Sequence, residues 1–322
     1  MRPARDPGCQ TARVSDPQAP GGVVVAVVGA TATGKSDLAV DLALALRGEV
    51  VNTDAMQLYR GMDVGTAKLT LPERRGVPHH LLDVLDVTQE ASVAAYQRDA
   101  TDVVGRLLAD GRTPVLAGGS GLYVRAALDV LDIPPTDPTV RARWEERLAA
   151  EGAPALHAVL AGQDPQAAAR ILPTNGRRVV RALEVVEITG RPFSASLPRE
   201  EYARPAVQVG LRAPRDVLDE RVARRVDRMW ADGLVAETGR LVGEGLREGR
   251  TASRALGYAQ VLRVLAGEWS EDEAREDTVR TTRRFVRRQE SWFGRDPRIT
   301  WLDAGAPDLL DRALAVVAAA TP

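Results

Sequence analysis

Gly29-Ala30-Thr31-Ala32-Thr33-Gly34-Lys35-Ser36 fits the pattern G-x-x-x-x-G-K-[ST]. Glycines at these positions let backbone N–H groups curl around phosphate oxygens, and Lys35 adds a full positive charge. The Ser36 hydroxyl is placed for a magnesium ion, and a helix starting there contributes the positive end of its dipole. The motif reads as a cradle for a di- or triphosphate and leaves open which group departs. Asp54 is the second residue of chemical interest, closing the short run Glu49-Val50-Val51-Asn52-Thr53. One carboxylate beside a diphosphate can hold magnesium or take a proton. Nucleoside triphosphatases that share this loop carry a metal-binding acid at the end of a further strand. Here the obvious strand, Pro114-Val115-Leu116-Ala117, runs into Gly118-Gly119-Ser120-Gly121 instead.

The elements that must position these residues follow from the hydrophobic pattern. Gly22 to Val28 is a continuous β-branched run, as for a parallel strand buried on both faces. A helix then runs through Arg47, with Leu38, Leu42 and Leu46 on one stripe and Gly48 as its stop. A second helix is predicted from the N-cap Ser92 to Asp110, followed by a strand from Thr113 to Ala117. This alternation specifies an α/β fold with a parallel sheet of the P-loop type flanked by helices. After Leu131 the breaker-rich Ile133-Pro134-Pro135-Thr136-Asp137-Pro138 opens a stretch with helical patterns alone, and strand character returns at Val207 to Arg212. Residues 134–204 are therefore expected to form an inserted all-helical subdomain. Residues 21–133 and 205–322 form the core, the last part being mostly helical and packed around the sheet. A helix opened by Asp216 puts Arg221 and Arg225 on one side, four residues apart.

Composition narrows the function classes. The 322 residues are 44% hydrophobic and 27% charged, as in ordinary globular proteins. A single cysteine, Cys9, excludes a disulfide framework and a Cys-based zinc site, and three histidines make a poor metal centre. His79 and His80, without nearby acidic ligands, read as structural. Residues 1–20 lack the apolar core of a secretory signal and are expected to be a disordered tail. With no apolar run of roughly 18 residues, the expected location is the cytoplasm, without a membrane. Net charge is −1, yet Arg280, Arg283, Arg284, Arg287, Arg288, Arg295 and Arg298 gather against Glu290 and Asp296. Such a face can meet nucleic-acid phosphates even on a neutral molecule.

Several blocks occur in register beyond the P-loop: Asn52 through Lys68, Pro78-His79-His80-Leu81-Leu82-Asp83, Gly118 through Tyr123, Asp137-Pro138 with Val140-Arg141, Arg181 through Val185, Gly257-Tyr258 and Arg287-Arg288-Gln289. Together, over about residues 22–303, they resemble the tRNA dimethylallyltransferase family. The resemblance implies transfer of a dimethylallyl group from dimethylallyl diphosphate to N6 of the adenine next to the anticodon in tRNA, with magnesium as cofactor. It implies Asp54 as general base and as a contact to the adenine. Residues 29–36 would grip the diphosphate, helped by Arg225 and Ser120. The positions matching Asp54, Ala55, Met56 and Gln57, Ser120, Arg141, Arg177 through Arg181 (with Arg178), and Arg254 through Ala259 (with Gly257 and Tyr258) would touch the tRNA anticodon loop. The target base must leave its stack to reach the P-loop, and Tyr258, Phe285 or the arginines around 287 are candidates to stack on exposed bases. A monomer is expected. This chain departs from the family pattern at Ala55, Ser120 and Ala259, where Ser, Thr and Arg are more usual. The first and third remove polar groups that would reach RNA. A P-loop small-molecule kinase, prenylation of a free adenine nucleotide and a non-enzymatic RNA-binding protein are the competing readings.

Overall fold

A computed structural model describes residues 22–196 and 200–320 of the protein. The expected tail, with Cys9, lies outside the described residues. Val24–Gly29 form β1, all six residues buried. Lys35–Ala45 form α1, Glu49–Asn52 β2 and His79–His80 the short β3. Then come α2 (Val93–Ala109), with the Ser92 hydroxyl capping its first turn, β4 (Pro114–Ala117) and α3 (Gly121–Leu128). Four helices follow: α4 (Pro138–Glu151), α5 (Ala153–Gln163), α6 (Pro165–Arg170) and α7 (Gly176–Thr189). The chain returns through β5 (Ala206–Arg212) to α8 (Arg215–Ala231), α9 (Leu234–Gly243), α10 (Tyr258–Leu265), α11 (Glu271–Phe293), β6 (Ile299–Asp303) and α12 (Leu309–Ala319).

The six strands pair in parallel in the order β3-β2-β4-β1-β5-β6. Alternation along β1 explains its uninterrupted apolar run. Val23, Val25 and Val27 pack on α1 and α12, whereas Val24, Ala26 and Val28 pack on α2, α3 and Phe293 of α11. Helices α4–α7 carry a separate core around Trp144, Leu156, Leu160, Val179 and Leu183. Their entry and exit meet at a neck. Asp129 and Tyr202 form an antiparallel bridge, the Val130 N–H donates to Glu201 O at 2.9 Å, and the Ala203 N–H to Leu128 O at 2.8 Å. The fully buried Asp129 carboxylate there accepts from Arg298 at 2.8 and 3.2 Å and from Arg125 at 2.8 Å, and Arg298 lies 4.3 Å over the Tyr202 ring.

Two short strands add to the expected elements, and one helix end shifts. The last core segment is mostly helical as expected, and Ile299–Asp303 adds an edge strand beside β5, with Ile299 its one buried residue. A two-residue edge strand, β3, holds His79 and His80. Helix α1 ends at Ala45, two residues early, and the left-handed residue after it is Arg47 (φ 50°) rather than Gly48.

Candidate active site

The sheet register brings the chemical residues together. Ala117 pairs with both Val27 of β1 and Asn52 of β2, so the P-loop, the Asp54 turn and the glycine loop after β4 leave the sheet at one level. Asn52 then fixes the turn. Its Oδ1 accepts the Asp54 N–H at 2.8 Å, and its Nδ2 donates to the Asp54 and Leu81 carbonyls at 3.0 Å. The buried Tyr96 hydroxyl donates to Asn52 O at 2.8 Å. Asp54 Oδ1 accepts the Met56 N–H at 2.9 Å, while Oδ2 has no hydrogen-bond partner among the described residues. One oxygen thus orients the carboxylate and the other is left for chemistry.

The P-loop has the backbone of an anion nest, with positive φ at Ala32 (66°) and Gly34 (86°) just before α1. Lys35 Nζ donates to Ala30 O at 2.5 Å, and Thr33 Oγ1 donates to the same carbonyl at 2.8 Å. Burial and the nearby Arg225 charge pull the Lys35 ammonium down to about 7, against the opposite pull of Asp54. Burial likewise lowers Arg225, again with Asp54 acting against it. Two cations and one carboxylate thus share a poorly solvated space, an arrangement that an added polyanion relieves. Arg225 Nη2 donates to Thr66 O at 3.2 Å, and Arg221 Nη1 reaches Ala32 O at 3.5 Å, so both α8 arginines face the P-loop side.

Two cavities meet here. A polar cleft of about 70 Å³ is lined by Lys35, Ser36, His79, Gly118, Gly119 and Gln289. A larger cavity of about 410 Å³ has Met56, Val222, Val226, Met229, Leu256 and Phe285 for walls, with Arg254, Arg288 and Ser120 at its polar points. Thr31, Asp54 and Arg225 line both. A phosphate-binding chamber therefore opens into an apolar one, with a carboxylate at the junction. β4 ends without an acid, and among the described residues no cluster of three or more His, Cys, Asp or Glu side chains could hold a metal.

A sequence profile described as IPP transferase matches residues 57–296. The chain belongs to the IPP transferase family. It is 67% identical over 299 residues to a tRNA dimethylallyltransferase from Thermobifida fusca, covering 91% of this chain and 94% of that one. It is 65% identical over 288 residues to one from Streptomyces avermitilis (89% and 92%). Among solved structures, the full-length tRNA isopentenylpyrophosphate transferase from Bacillus halodurans matches with a TM-score of 0.70 and 39% identity, over 93% of this chain and 97% of that chain. A eukaryotic dimethylallyltransferase described as acting on tRNA shares the fold, with a TM-score of 0.77 and 24% identity over 92% and 77% of the two chains.

The remaining candidates of this IPP transferase occupy several surroundings. Ser120 Oγ accepts the Ala55 N–H at 3.2 Å and lines the larger cavity rather than the polar cleft. Ala55 and Met56 line the same cavity, and Gln57 Nε2 donates to Thr66 O at 3.1 Å. Arg177 and Arg178 are exposed on the first turn of α7. Arg141 and Arg181 instead converge on the buried Glu184 at 2.6 and 2.8 Å, and Arg181 also donates to the Pro134 and Pro135 carbonyls. Arg254 is exposed at the rim and Gly257 is buried. Tyr258 is corrected outright: its ring is fully buried and its hydroxyl donates to Glu237, so no base can stack on it. Its apolar body found a core site and its O–H a half-buried carboxylate acceptor. Phe285 does line the cavity, with Arg288 5.7 Å from its ring centre. Of the basic run, Arg284, Arg287 and Arg288 are exposed, whereas Arg280 pairs with Asp277, Arg283 donates to Asp219 O, and Arg298 turns inward to Asp129 and Asp296. His79 makes a local bond to Val77 O, and His80 bonds across the sheet to the Glu49 carboxylate of β2.

Gln289 was visible in the sequence as a motif letter with no task. Its Oε1 accepts the Thr31 N–H at 2.9 Å and its Nε2 donates to Gly119 O at 2.8 Å, so one buried amide joins the P-loop to the glycine loop. A side chain at Gly119 would overlap that amide. The Thr31 N–H is consequently engaged within the protein.

Proposed function

We propose that the protein transfers the dimethylallyl group of dimethylallyl diphosphate to N6 of the adenine next to the anticodon of tRNA. The observation that carries this reading is the placement of Asp54 at the junction of the polar and apolar cavities, beside Lys35 and Arg225. The diphosphate lies in the P-loop cleft, and the flipped adenine enters the apolar cavity. N6 attacks the allylic carbon, the C–O bond breaks, and the electron pair leaves with the diphosphate. The N6 lone pair is delocalised into the ring, so attack makes the amine acidic, and Asp54 accepts the released proton. P-loop N–H groups, Lys35 and Arg225 stabilise the charge growing on the diphosphate. Ser36 would hold magnesium together with substrate oxygens, as the hydroxyl at this P-loop position does in nucleotide-binding proteins, and the ion would neutralise diphosphate charge.

The test is incubation of the purified protein with dimethylallyl diphosphate, magnesium and unmodified tRNA, followed by mass spectrometry of the tRNA nucleosides. Prenylated adenosine and released diphosphate are expected. Prenylation of free adenine nucleotide with none of tRNA, or ATP-dependent phosphorylation of a small acceptor, would overturn the reading.

A further inference from the structure

The segment Asp63–Thr66 leads into a run of turns at residues 64–67, and its residues Gly65 and Thr66 line the larger cavity. Its conformation is held from outside by Glu237, half-buried on the first turn of α9. Glu237 Oε2 accepts the N–H groups of Asp63 (3.2 Å) and Val64 (2.9 Å), and Oε1 accepts that of Gly65 (3.3 Å). The Tyr258 hydroxyl donates to the same Oε1 at 2.5 Å. Successive N–H groups of this kind form an anion nest, here filled by the protein's own carboxylate. The Tyr258 ring packs directly on Gly65, where any side chain would overlap it. The segment ends at the Thr66 carbonyl, which accepts from Gln57 Nε2 (3.1 Å) and from Arg225 Nη2 (3.2 Å). One relay therefore runs from a helix remote from the P-loop to the guanidinium at the junction of the cavities.

We propose that Glu237 is a positioning residue: it fixes the 63–66 turn so that the Thr66 carbonyl aims Arg225 at the diphosphate. The assignment rests on the role given to Arg225 above. All four groups facing the carboxylate are donors, so an acceptor-only side chain is required. A glutamine would turn an NH2 against two of them, because each oxygen accepts two.

The test is a double-mutant cycle over wild type, Glu237→Gln, Arg225→Lys and the double variant, with Tyr258→Phe as a gentler second route that deletes one donor. Two readouts are used: affinity for inorganic diphosphate by calorimetry, and kcat/KM for dimethylallyl diphosphate at saturating tRNA. Glu237→Gln is expected to lower both about tenfold, the size of one lost hydrogen bond to a charged group. With Arg225→Lys already present, the same change should cost less than about twofold, because contacts that act through one another are not additive. Equal losses in both backgrounds, or no loss in Glu237→Gln and Tyr258→Phe, would overturn the assignment and leave Glu237 with a role in folding alone. If the wild type fails to prenylate tRNA, the proposed function falls, while the diphosphate cycle still decides the role of Glu237.

Discussion

Replacing Asp54 by asparagine isolates proton acceptance from everything else the residue does. The amide has the shape of the carboxylate, and its Oδ1 can still accept the Met56 N–H now bonded at 2.9 Å. Asn52 holds the Asp54 backbone through groups the substitution does not touch. The turn should therefore survive, with stability within about 0.5 kcal/mol of wild type, as for changes that leave packing and hydrogen bonds in place. The lost function is basicity: an amide cannot take the N6 proton. General-base removal typically costs about 10²–10⁴ in rate, or about 2.7–5.5 kcal/mol of barrier at 1.36 kcal/mol per decade. Diphosphate binding should move the opposite way. The Asp54 charge acts on both Lys35 and Arg225 and would repel a diphosphate beside them, so its removal takes away the one competing anion. The assay is single-turnover prenylation at saturating tRNA, paired with calorimetric binding of dimethylallyl diphosphate. A rate within threefold of wild type would refute the assignment of Asp54 as base. A slow variant that also binds diphosphate much more weakly would show that the carboxylate serves the ligand instead.

Other outcomes follow from neighbouring groups. Lys35, lowered to about 7 from 10.5, is neutral in the free protein above neutrality, so diphosphate affinity should fall as pH rises through 7–9, with proton uptake on binding visible as buffer-dependent heats. The unfolded chain holds that proton over the interval 7 to 10.5 and the folded chain does not, so this group makes unliganded stability rise with pH there, a contribution that Lys35→Met should abolish in denaturant titrations. Gln289→Leu strands the Thr31 N–H and the Gly119 carbonyl without partners, and should cost about 1–3 kcal/mol of stability by urea unfolding while raising KM for dimethylallyl diphosphate. Arg177→Ala with Arg178→Ala should weaken tRNA binding and flatten the salt dependence of its affinity, by about 0.7–0.9 in slope per lost phosphate contact; Arg181→Ala should instead lower the melting temperature, since its guanidinium is spent on Glu184 and two carbonyls.

What could be read from the residues divides along physical lines. The P-loop, the buried strand before it and the Ser92-capped α2 were legible because local pattern alone dictates them, through apolar runs, glycine positions and a capping hydroxyl. Asp54 was legible as a strand-end carboxylate, although its neighbours depend on a register that no local pattern encodes. Strand β6 was not, since Ile299-Thr300-Trp301-Leu302-Asp303 has a single buried position and becomes a strand by pairing with β5. Sequence distance hid the tasks of Gln289 and Glu237, which bond the P-loop Thr31 N–H 258 residues away and the 63–65 N–H groups more than 170 residues away. Tyr258 misled for the opposite reason. A tyrosine in a motif expected to touch RNA looks like a stacking platform, and nothing local reveals that the half-buried Glu237 takes its hydroxyl.

The neck beneath the helical segment has a consequence for how such a molecule can change over time. Both chain crossings lie side by side, bridged at Asp129 and Tyr202 and clasped by Arg298 from the far end of the sequence. To the sheet, everything between is a loop whose ends are already tied. Lengthening a loop costs little, on the order of 0.6 kcal/mol for each doubling. Helices α4–α7 are thus free to drift, grow or be exchanged with almost no debt to the residues around Asp54. A lineage could rewrite this one appendage and inherit the arrangement of P-loop, Asp54 and Arg225 intact.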